Sequence, residues 1–361
     1  MYETNEDQLP ERAILVGVAL GRTPKKEAEY SLDELERLVS TAGGEVVHRY
    51  IQGRPKPDGT YYVGSGMVEE IKQFIEENNC NIVVFDDQLS PNQMRNLSKY
   101  LDVKVIDRPM LILDIFALHA RTHESRLQVE LAQMEYLLPR LTGLWVHFSR
   151  QRGGIGSKGP GETQLEIDRR QISKKIDFLK KKLKQIEKQR ATQRKGRENF
   201  YKISLVGYTN AGKSTLFNQL TKAGVLQEDK LFSTLDSTTR VISVGYPQNI
   251  VITDTVGFIE KLPHQLVASF KSTLEEVLLA DLILLVVDAS DEYKDRKIEV
   301  VRQVLDDIGA SAIPHLTIYN KIDLLSDENA IPAADNGNIP LSALKNLGLN
   351  RLKTEILARF G

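Results

Sequence analysis

The chain has 361 residues, and at roughly 150 residues per domain this length predicts two or three domains with cores of their own. Hydrophobic residues make up 41%, charged residues 27% and the net charge is −1, which excludes collagen-like and wholly disordered proteins. The single cysteine, Cys80, excludes an intramolecular disulfide and a cysteine-rich zinc site.

The beginning of the sequence is acidic and lacks the apolar segment of a signal peptide. The most apolar stretch, residues 277–287, contains Asp281 and is too short to cross a bilayer. We therefore expect a cytoplasmic protein without a membrane span, and no sequence feature requires more than a monomer.

Residues 1–107 are predicted to form a small α/β domain. Short apolar runs alternate with helical patterns, which indicates a mostly parallel sheet. Ser31 with Glu34, and Ser90 with Gln93, have the spacing of a capping box and predict two helix starts. The predicted strands are residues 13–20, 81–86 and 103–106.

One glycine pair in this domain allows two interpretations. Gly64 and Gly66 precede a helical stretch, so they could form a phosphate-binding loop that gives the domain an ATP site. Two glycines at the start of a helix are also typical of an ordinary turn, which is the interpretation we favour.

Residues 108–197 are predicted to form a helical hairpin. Its first helix covers 124–138, and a basic loop over 150–161 with five glycines and one proline in residues 153–161 cannot be helical. The second helix has apolar residues spaced 4, 3, 4, 3, as in a short coiled coil: Ile172, Ile176, Leu179, Leu183 and Ile186.

The second helix of the hairpin is strongly basic. From Arg169 to Arg197 there are 13 Lys and Arg against two acidic residues, a local charge of +11. The rest of the chain has 35 of the 48 basic and 47 of the 49 acidic residues, a charge of −12. Such a segment is typical of a solvated helix face or of a phosphate-binding surface. The candidate RNA contacts are Arg150, Arg152, Lys158, Lys174, Lys175 and Lys181.

Residues 198–361 are predicted to form a P-loop nucleotide-binding domain. A strand at 203–206 leads into Gly207-Tyr-Thr-Asn-Ala-Gly-Lys-Ser214 and a helix, which matches G-x-x-x-x-G-K-S/T in its required context. Backbone N–H groups of such a loop surround the phosphates, the lysine bridges the β- and γ-phosphates and the serine hydroxyl binds Mg²⁺. The candidates are Gly207, Tyr208, Thr209, Asn210, Ala211, Gly212, Lys213, Ser214 and Thr215.

Three further motifs follow in the order of a GTPase. In the D-x-x-G motif, Asp254 would hold Mg²⁺ through a water molecule. The Gly257 N–H of the same motif would contact the γ-phosphate. In an N-K-x-D motif the aspartate accepts two guanine N–H groups that adenine does not offer together. The Ala343 N–H is expected to reach guanine O6. The candidates are Asp254, Thr255, Val256, Gly257, Asn320, Lys321, Ile322, Asp323, Ser342, Ala343 and Leu344.

Two positions bear on the hydrolysis mechanism. Phe258 stands where many GTPases have a glutamine that orients the attacking water, so we expect slow hydrolysis that a partner stimulates. His264 is the nearest imidazole and a weaker substitute. Asn210 resembles the asparagine of potassium-activated GTPases, although an amide that bonds only the loop backbone is an equal alternative.

The sequence resembles the HflX family of ribosome-associated GTPases. The resemblance is carried by Gln128-Val-Glu-Leu-Ala-Gln-Met-Glu-Tyr-Leu-Leu-Pro-Arg-Leu141, by Gly156-Ser-Lys-Gly-Pro-Gly-Glu-Thr-Gln-Leu-Glu166, by 232–236 and by Asp254-Thr-Val-Gly-Phe-Ile259. It implies an α/β protein in which a small α/β domain and a coiled-coil hairpin precede a P-loop GTPase domain. It also implies binding to the large (50S) ribosomal subunit and its rRNA, with a role in ribosome dissociation or rescue under stress.

The resemblance further implies that the switch I threonine is Thr234, which would bind Mg²⁺ with Ser214 and act with Lys213 and Gly257 in hydrolysis. The residues alone leave Thr238 and Thr239 as equal candidates. The additional nucleotide-site candidates are Phe232, Ser233, Thr234, Leu235 and Asp236. Other classes are a GTP-gated RNA- or protein-binding adaptor with little turnover, and a phosphoryl transferase, against which the N-K-x-D motif argues.

Overall fold

The computed structural model describes residues 10–21, 25–141, 164–195, 200–221, 231–232, 235–242, 249–261, 271–326 and 337–360. They belong to two compact units, Met1–Leu118 with Val129–Lys180 and His119–Gln128 with Lys181–Gly361. The three predicted domains, with boundaries at 107 and 197, stay a prediction. Across the described ranges, the helices are too short or too polar to cross a membrane.

The first unit is built on a four-stranded parallel sheet in the order β2-β1-β3-β4. The strands are β1 (Arg12–Leu20), β2 (Glu45–Arg54), β3 (Ile82–Phe85) and β4 (Lys104–Asp107). The helices are α1 (Lys25–Thr41), α2 (Ser65–Asn78), α3 (Pro91–Leu101) and α4 (Arg108–His119). The three predicted strands are confirmed. The edge strand β2 was not predicted, because polar residues interrupt its apolar pattern.

One of the two predicted helix starts is confirmed. Ser90 and Gln93 form a capping box at the start of α3, with both reciprocal hydrogen bonds present. The expectation for Ser31 and Glu34 is wrong, because both lie inside α1 and are buried. Their side chains instead contact Arg108, whose guanidinium is fully buried. A buried cation requires such carboxylate and hydroxyl partners.

Two further helices follow α4. They are α5 (His123–Leu137), which continues as a short 3₁₀ turn at Leu138–Arg140, and α6 (Gln164–Lys195). Of the predicted coiled-coil positions in α6, Ile176 and Leu179 are buried, and Ile172, Leu183 and Ile186 are half-buried. The predicted glycine-rich loop lies outside the described residues.

The second unit contains a six-stranded sheet in the order β10-β9-β8-β5-β7-β6, parallel except for β6. The strands are β5 (Tyr201–Gly207), β6 (Thr238–Ile242), β7 (Ile250–Asp254), β8 (Leu282–Asp288), β9 (His315–Asn320) and β10 (Asn338–Pro340). The helices are α7 (Lys213–Thr221), α8 (Lys271–Leu278), α9 (Lys294–Asp307) and α10 (Leu349–Phe360).

The parallel strands of this sheet end at one common edge. β5, β7, β8 and β9 are almost entirely buried, as expected for parallel strands covered on both faces. Their last residues are Gly207, Asp254, Asp288 and Asn320, which come from four separate parts of the sequence. In open α/β sheets, ligands bind at this carboxyl edge, so the topology collects the predicted motifs there.

Candidate functional site

The loop from Gly207 to Lys213 has the backbone that its glycines require. A Cβ atom on Gly207 would lie 2.2 Å from the Val286 carbonyl oxygen, so the neighbouring strand leaves no space for a side chain. Gly212 has a φ of +87°, and its Cβ atom would lie 2.2 Å from Asn320 Nδ2. Asn210 also has a positive φ, +60°. Each glycine is therefore needed for close approach of backbone to a neighbour.

Lys213 is buried at the start of α7 and folds back onto its own loop. Its Nζ donates to the carbonyl oxygens of Gly207 at 3.1 Å and Tyr208 at 2.8 Å. Burial lowers the pKa of Lys213 to about 8, although the nearby Asp254 carboxylate works in the opposite direction. A charged ammonium held this way is costly to bury, and anionic oxygens would stabilise it.

Ser214 and Asp254 bring two oxygen ligands together. Ser214 Oγ donates to Asp254 Oδ2 at 2.7 Å. The Asp254 carboxyl is fully buried, and its Oδ1 has no hydrogen-bond partner among the described residues. Burial raises the pKa of Asp254, opposed by Lys213 and by hydrogen bonds from Ser214 and the Thr255 N–H. Hydroxyl and carboxylate oxygens are the ligands that Mg²⁺ prefers, so these residues fit the metal.

Asn320 connects the loop at 207–213 to the last predicted motif. Its Nδ2 donates to the Ala211 carbonyl at 2.9 Å, and its Oδ1 accepts the Ala343 N–H at 2.9 Å. Ala343 was expected to reach guanine O6 with this same N–H, so that contact requires the bond to Asn320 to break. Lys321 has a φ of +65° and its Nζ pairs with Asp288 at 2.7 Å.

The surroundings of Asp323 include a residue that the sequence reasoning missed. Asp323 lies beside Ile322 in a 3₁₀ turn, with its side chain 7% exposed. Lys345 Nζ lies 3.9 Å from the Asp323 carboxylate, while Leu344 is largely exposed. The Lys345 N–H donates to Ser342 Oγ, so this lysine belongs to the same turn as the candidates Ser342 and Ala343. In the sequence, the only sign of this residue is that a lysine directly follows the candidate Leu344.

The D-x-x-G segment is bonded to the P-loop by its backbone. Phe258 N donates to the Gly207 carbonyl at 3.1 Å, and Thr209 N donates to the Phe258 carbonyl at 2.8 Å. The Phe258 side chain is buried, and Thr255 Oγ1 donates to the Leu205 carbonyl. The position that carries a glutamine in many GTPases is therefore a packing position here. His264 lies outside the described residues.

The predicted switch I residues are only partly described. Phe232, with a φ of +58°, and Leu235 are buried. Ser233 and Thr234 lie outside the described residues. Thr239 belongs to β6, where its hydroxyl is hydrogen-bonded to Thr253 Oγ1 at 2.9 Å, which argues against it as a metal ligand. The Asp236 carboxylate accepts hydrogen bonds from Arg121 and Thr122.

The candidate RNA contacts on α6 differ from one another. Lys174 and Lys181 are exposed. Lys175 forms an ion pair with Glu130 at 2.9 Å. Part of the positive charge on α6 is thus offset by glutamates of α5, which also supply the partners for Lys180 and Arg190. Arg150, Arg152 and Lys158 lie outside the described residues.

Three family models match successive parts of the chain. They are described as GTP-binding GTPase N-terminal (residues 29–117), GTP-binding GTPase Middle Region (residues 119–197) and 50S ribosome-binding GTPase (residues 202–321). Together they cover most of the sequence, including the P-loop, the D-x-x-G motif and the first two residues of N-K-x-D.

Relatives and a solved structure extend this similarity. GTPase HflX of Caldanaerobacter subterraneus subsp. tengcongensis is 48% identical over 344 residues, which cover 95% of this chain and 79% of the relative. GTPase HflX of Flavobacterium psychrophilum is 50% identical over 314 residues, which cover 87% of this chain and 76% of the relative. The crystal structure of SsGBP with GDP has 26% identity and a TM-score of 0.53, covering 96% of this chain and 98% of SsGBP. The chain therefore belongs to the HflX family of P-loop GTPases, which bind GTP and hydrolyse it.

Proposed function

We propose that the four motifs at the carboxyl edge of the second sheet form the GTP site. The P-loop backbone and Lys213 bind the phosphates, the Gly257 N–H contacts the γ-phosphate, and Asp323 accepts the guanine N–H groups. The buried Lys213 ammonium, whose hydrogen-bond partners among the described residues are two backbone carbonyl oxygens, supports this assignment. Phosphate oxygens are stronger partners for it.

The same proposal assigns Mg²⁺ to Ser214 and Thr234, with Asp254 acting through a water. Its support is the Asp254 Oδ1 atom, a buried carboxylate oxygen without a partner among the described residues. When bound, the metal neutralises negative charge that develops on the phosphate oxygens. Ser214 and Asp254 are already hydrogen-bonded to each other, so they need no large rearrangement to become part of a metal shell.

Hydrolysis is slow in the isolated protein and is stimulated by a partner. Phe258 has no group that can orient water, and its side chain is buried with its backbone bonded to the P-loop. The missing group or the ordering of the switch segments therefore comes from outside this site. In GTPases that depend on such a supplied group, the hydrolysis rate rises by roughly 10³-fold to 10⁵-fold.

The partner that we propose is the large (50S) ribosomal subunit, bound in part through its rRNA. The main support for this partner is the match of residues 202–321 to a family described as 50S ribosome-binding GTPase. The exposed Lys174 and Lys181 of the basic helix α6 supply charges that suit phosphate contact. Ribosome dissociation or rescue under stress is the cellular role we infer from the family; the monomeric state and the cytoplasmic location stay predictions.

Steady-state GTP hydrolysis tests this proposal. The purified protein is assayed alone, with large subunits and with small subunits, and Lys213→Ala serves as the blank. Strong stimulation by large subunits alone is the expected result. Tight binding of guanine nucleotides without stimulation by either subunit would contradict it and favour the alternative, a GTP-gated RNA- or protein-binding adaptor with little turnover.

The role of α6 is tested by charge reversal. Lys174→Glu with Lys181→Glu should weaken binding to large subunits and reduce its salt dependence, because two phosphate contacts are lost. The matched control reverses two exposed cations on other helices, Lys99 of α3 and Arg302 of α9. Equal weakening by the two pairs would show a nonspecific effect of net charge.

Potassium dependence distinguishes the two interpretations of Asn210. If its side chain helps to bind a monovalent cation beside the phosphates, replacing K⁺ by Na⁺ should slow hydrolysis, and Asn210→Ala should remove the difference. Equal rates in both salts would leave Asn210 as a residue that stabilises the loop.

A further inference from the structure

The three residues that follow Gly257 are held on the P-loop by a ladder of hydrogen bonds. Phe258 contributes two of them through its backbone, to Gly207 and Thr209. The third joins the Glu260 N–H to the phenol oxygen of Tyr208 at 2.8 Å. Both side chains, Tyr208 and Glu260, are buried. Residues 258–260 therefore have a fixed position relative to the phosphate-binding loop.

The Glu260 carboxylate is in turn bound by α9. Arg296 Nε lies 2.5 Å from Oε1 and Arg296 Nη2 lies 3.1 Å from Oε2, so the guanidinium contacts both carboxylate oxygens. The Glu260 side chain is 7% exposed and that of Arg296 37%. A two-point contact between planar groups restricts orientation as well as distance, which a single hydrogen bond does not.

The next residue of α9 contacts the same part of the P-loop. Lys297 Nζ lies 4.9 Å from the centre of the Tyr208 ring, within the range of a cation–π interaction. Its ammonium also pairs with Asp291, which fixes the lysine at the start of the helix. One turn of α9 thus contacts both Tyr208 and Glu260, the two side chains that join the P-loop to the D-x-x-G segment.

We propose that Arg296, acting through Glu260, is a positioning residue for GTP hydrolysis. The pair holds Gly257 and Phe258 against the P-loop, where a Cβ atom on Gly257 would come within 2.9 Å of Lys213 Nζ. Because Phe258 supplies no hydrogen-bonding side chain, hydrolysis depends on the backbone position of this segment. The inference rests on the proposed contact of the Gly257 N–H with the γ-phosphate.

Single-turnover hydrolysis without ribosomal particles tests the role of Arg296. Arg296→Gln and Glu260→Gln should each slow the chemical step by about ten-fold to a hundred-fold, the order expected for a misplaced reacting group. GDP affinity should stay unchanged, because the phosphate-binding loop and Asp323 are intact. Exchanging the charges, Glu260→Arg with Arg296→Glu, should restore part of the rate. Arg302→Gln on the same helix is the exposed control and should hydrolyse at the wild-type rate.

A purely structural role would give a different pattern. A parallel loss of GDP affinity and rate, or wild-type rates in both single variants, would overturn the proposal. If Arg296→Gln does not fold, Arg296→Lys carries the test, because it keeps the charge and loses the two-point contact. Gly257→Ala separates this inference from its basis: normal hydrolysis in that variant would refute the γ-phosphate contact itself, whatever Arg296 does.

Discussion

Thr122 donates its hydroxyl to Asp236, with 2.6 Å between Oγ1 and Oδ1. The second carboxylate oxygen accepts the N–H groups of Arg121 at 3.1 Å and Thr122 at 3.2 Å. Thr122 also accepts the Ser125 N–H, so it caps the start of α5. Asp236, which the family resemblance assigns to the nucleotide site, thus extends a helix cap in this structure.

Replacing Asp236 by asparagine should destabilise the start of α5. The amide keeps one acceptor oxygen and loses the charge, which removes the charge-assisted bonds to the N–H groups at the helix start. We expect a loss of about 1 kcal/mol in unfolding free energy, and faster hydrogen exchange at Arg121 and Thr122. Urea unfolding and hydrogen–deuterium exchange measure both. Asp306→Asn, at an exposed position of α9, is the control; equal effects of the two changes would contradict the cap.

Nucleotide-free protein should become more stable between pH 8 and 10 because of Lys213. Burial lowers the pKa of this lysine from its ordinary 10.5 to about 8 in the folded protein. In that window the unfolded chain binds more protons than the folded one, so stability rises with pH. Below pH 8 Lys213 is protonated in both the folded and the unfolded state. The folded protein then carries the full cost of the buried charge, and this contribution to stability no longer changes with pH.

Comparison with Lys213→Met isolates this contribution. The variant lacks the titrating group, so the difference in urea midpoint between the wild type and Lys213→Met should shift in favour of the wild type as the pH rises. A pH-independent difference would show that Lys213 is not perturbed. Magnesium and nucleotide must be absent, because each changes the charge beside Lys213.

Alanine at position 212 should abolish tight nucleotide binding. The new Cβ atom would lie 2.2 Å from Asn320 Nδ2, so Asn320 would lose its bond to the Ala211 carbonyl. Gly309 provides a matched control, since it has a φ of +81° and no atom of the described residues lies within 4 Å of its Cβ position. Both changes cost about 1 kcal/mol of backbone strain. Only Gly212→Ala should reduce GDP affinity in a fluorescence titration.

Glutamine at position 258 should not accelerate hydrolysis. Phe258 is 3% exposed, so the amide would be buried there instead of approaching the nucleotide. We expect Phe258→Gln to lower the unfolding free energy by about 3 kcal/mol, with no gain in rate. Phe258→Leu should keep the rate and most of the stability. A faster Phe258→Gln enzyme would show that the side chain reaches the γ-phosphate.

Elements with a strong local signal could be predicted from the sequence. The strand ending at Gly207 and the helix α6 have apolar patterns that depend on neighbouring residues only. The P-loop spacing is similarly local, because one short loop must surround one phosphate group. The edge strand β2 lacked such a signal, since its residues are exposed or half-buried and never form an apolar run.

Contacts between distant segments were decided by the tertiary structure. Ser31 and Glu34 have the local spacing of a helix cap, yet they lie within α1, where their side chains contact the buried Arg108. No sequence pattern predicted the ion pair between Glu260 and Arg296, which are 36 residues apart. Local patterns depend only on residues close together in the sequence, and they were sufficient for the family resemblance, the nucleotide motifs and the strands with a continuous apolar run. The partner of a buried charge is chosen only when the fold brings separate segments together, because burial makes an unpaired charge too costly.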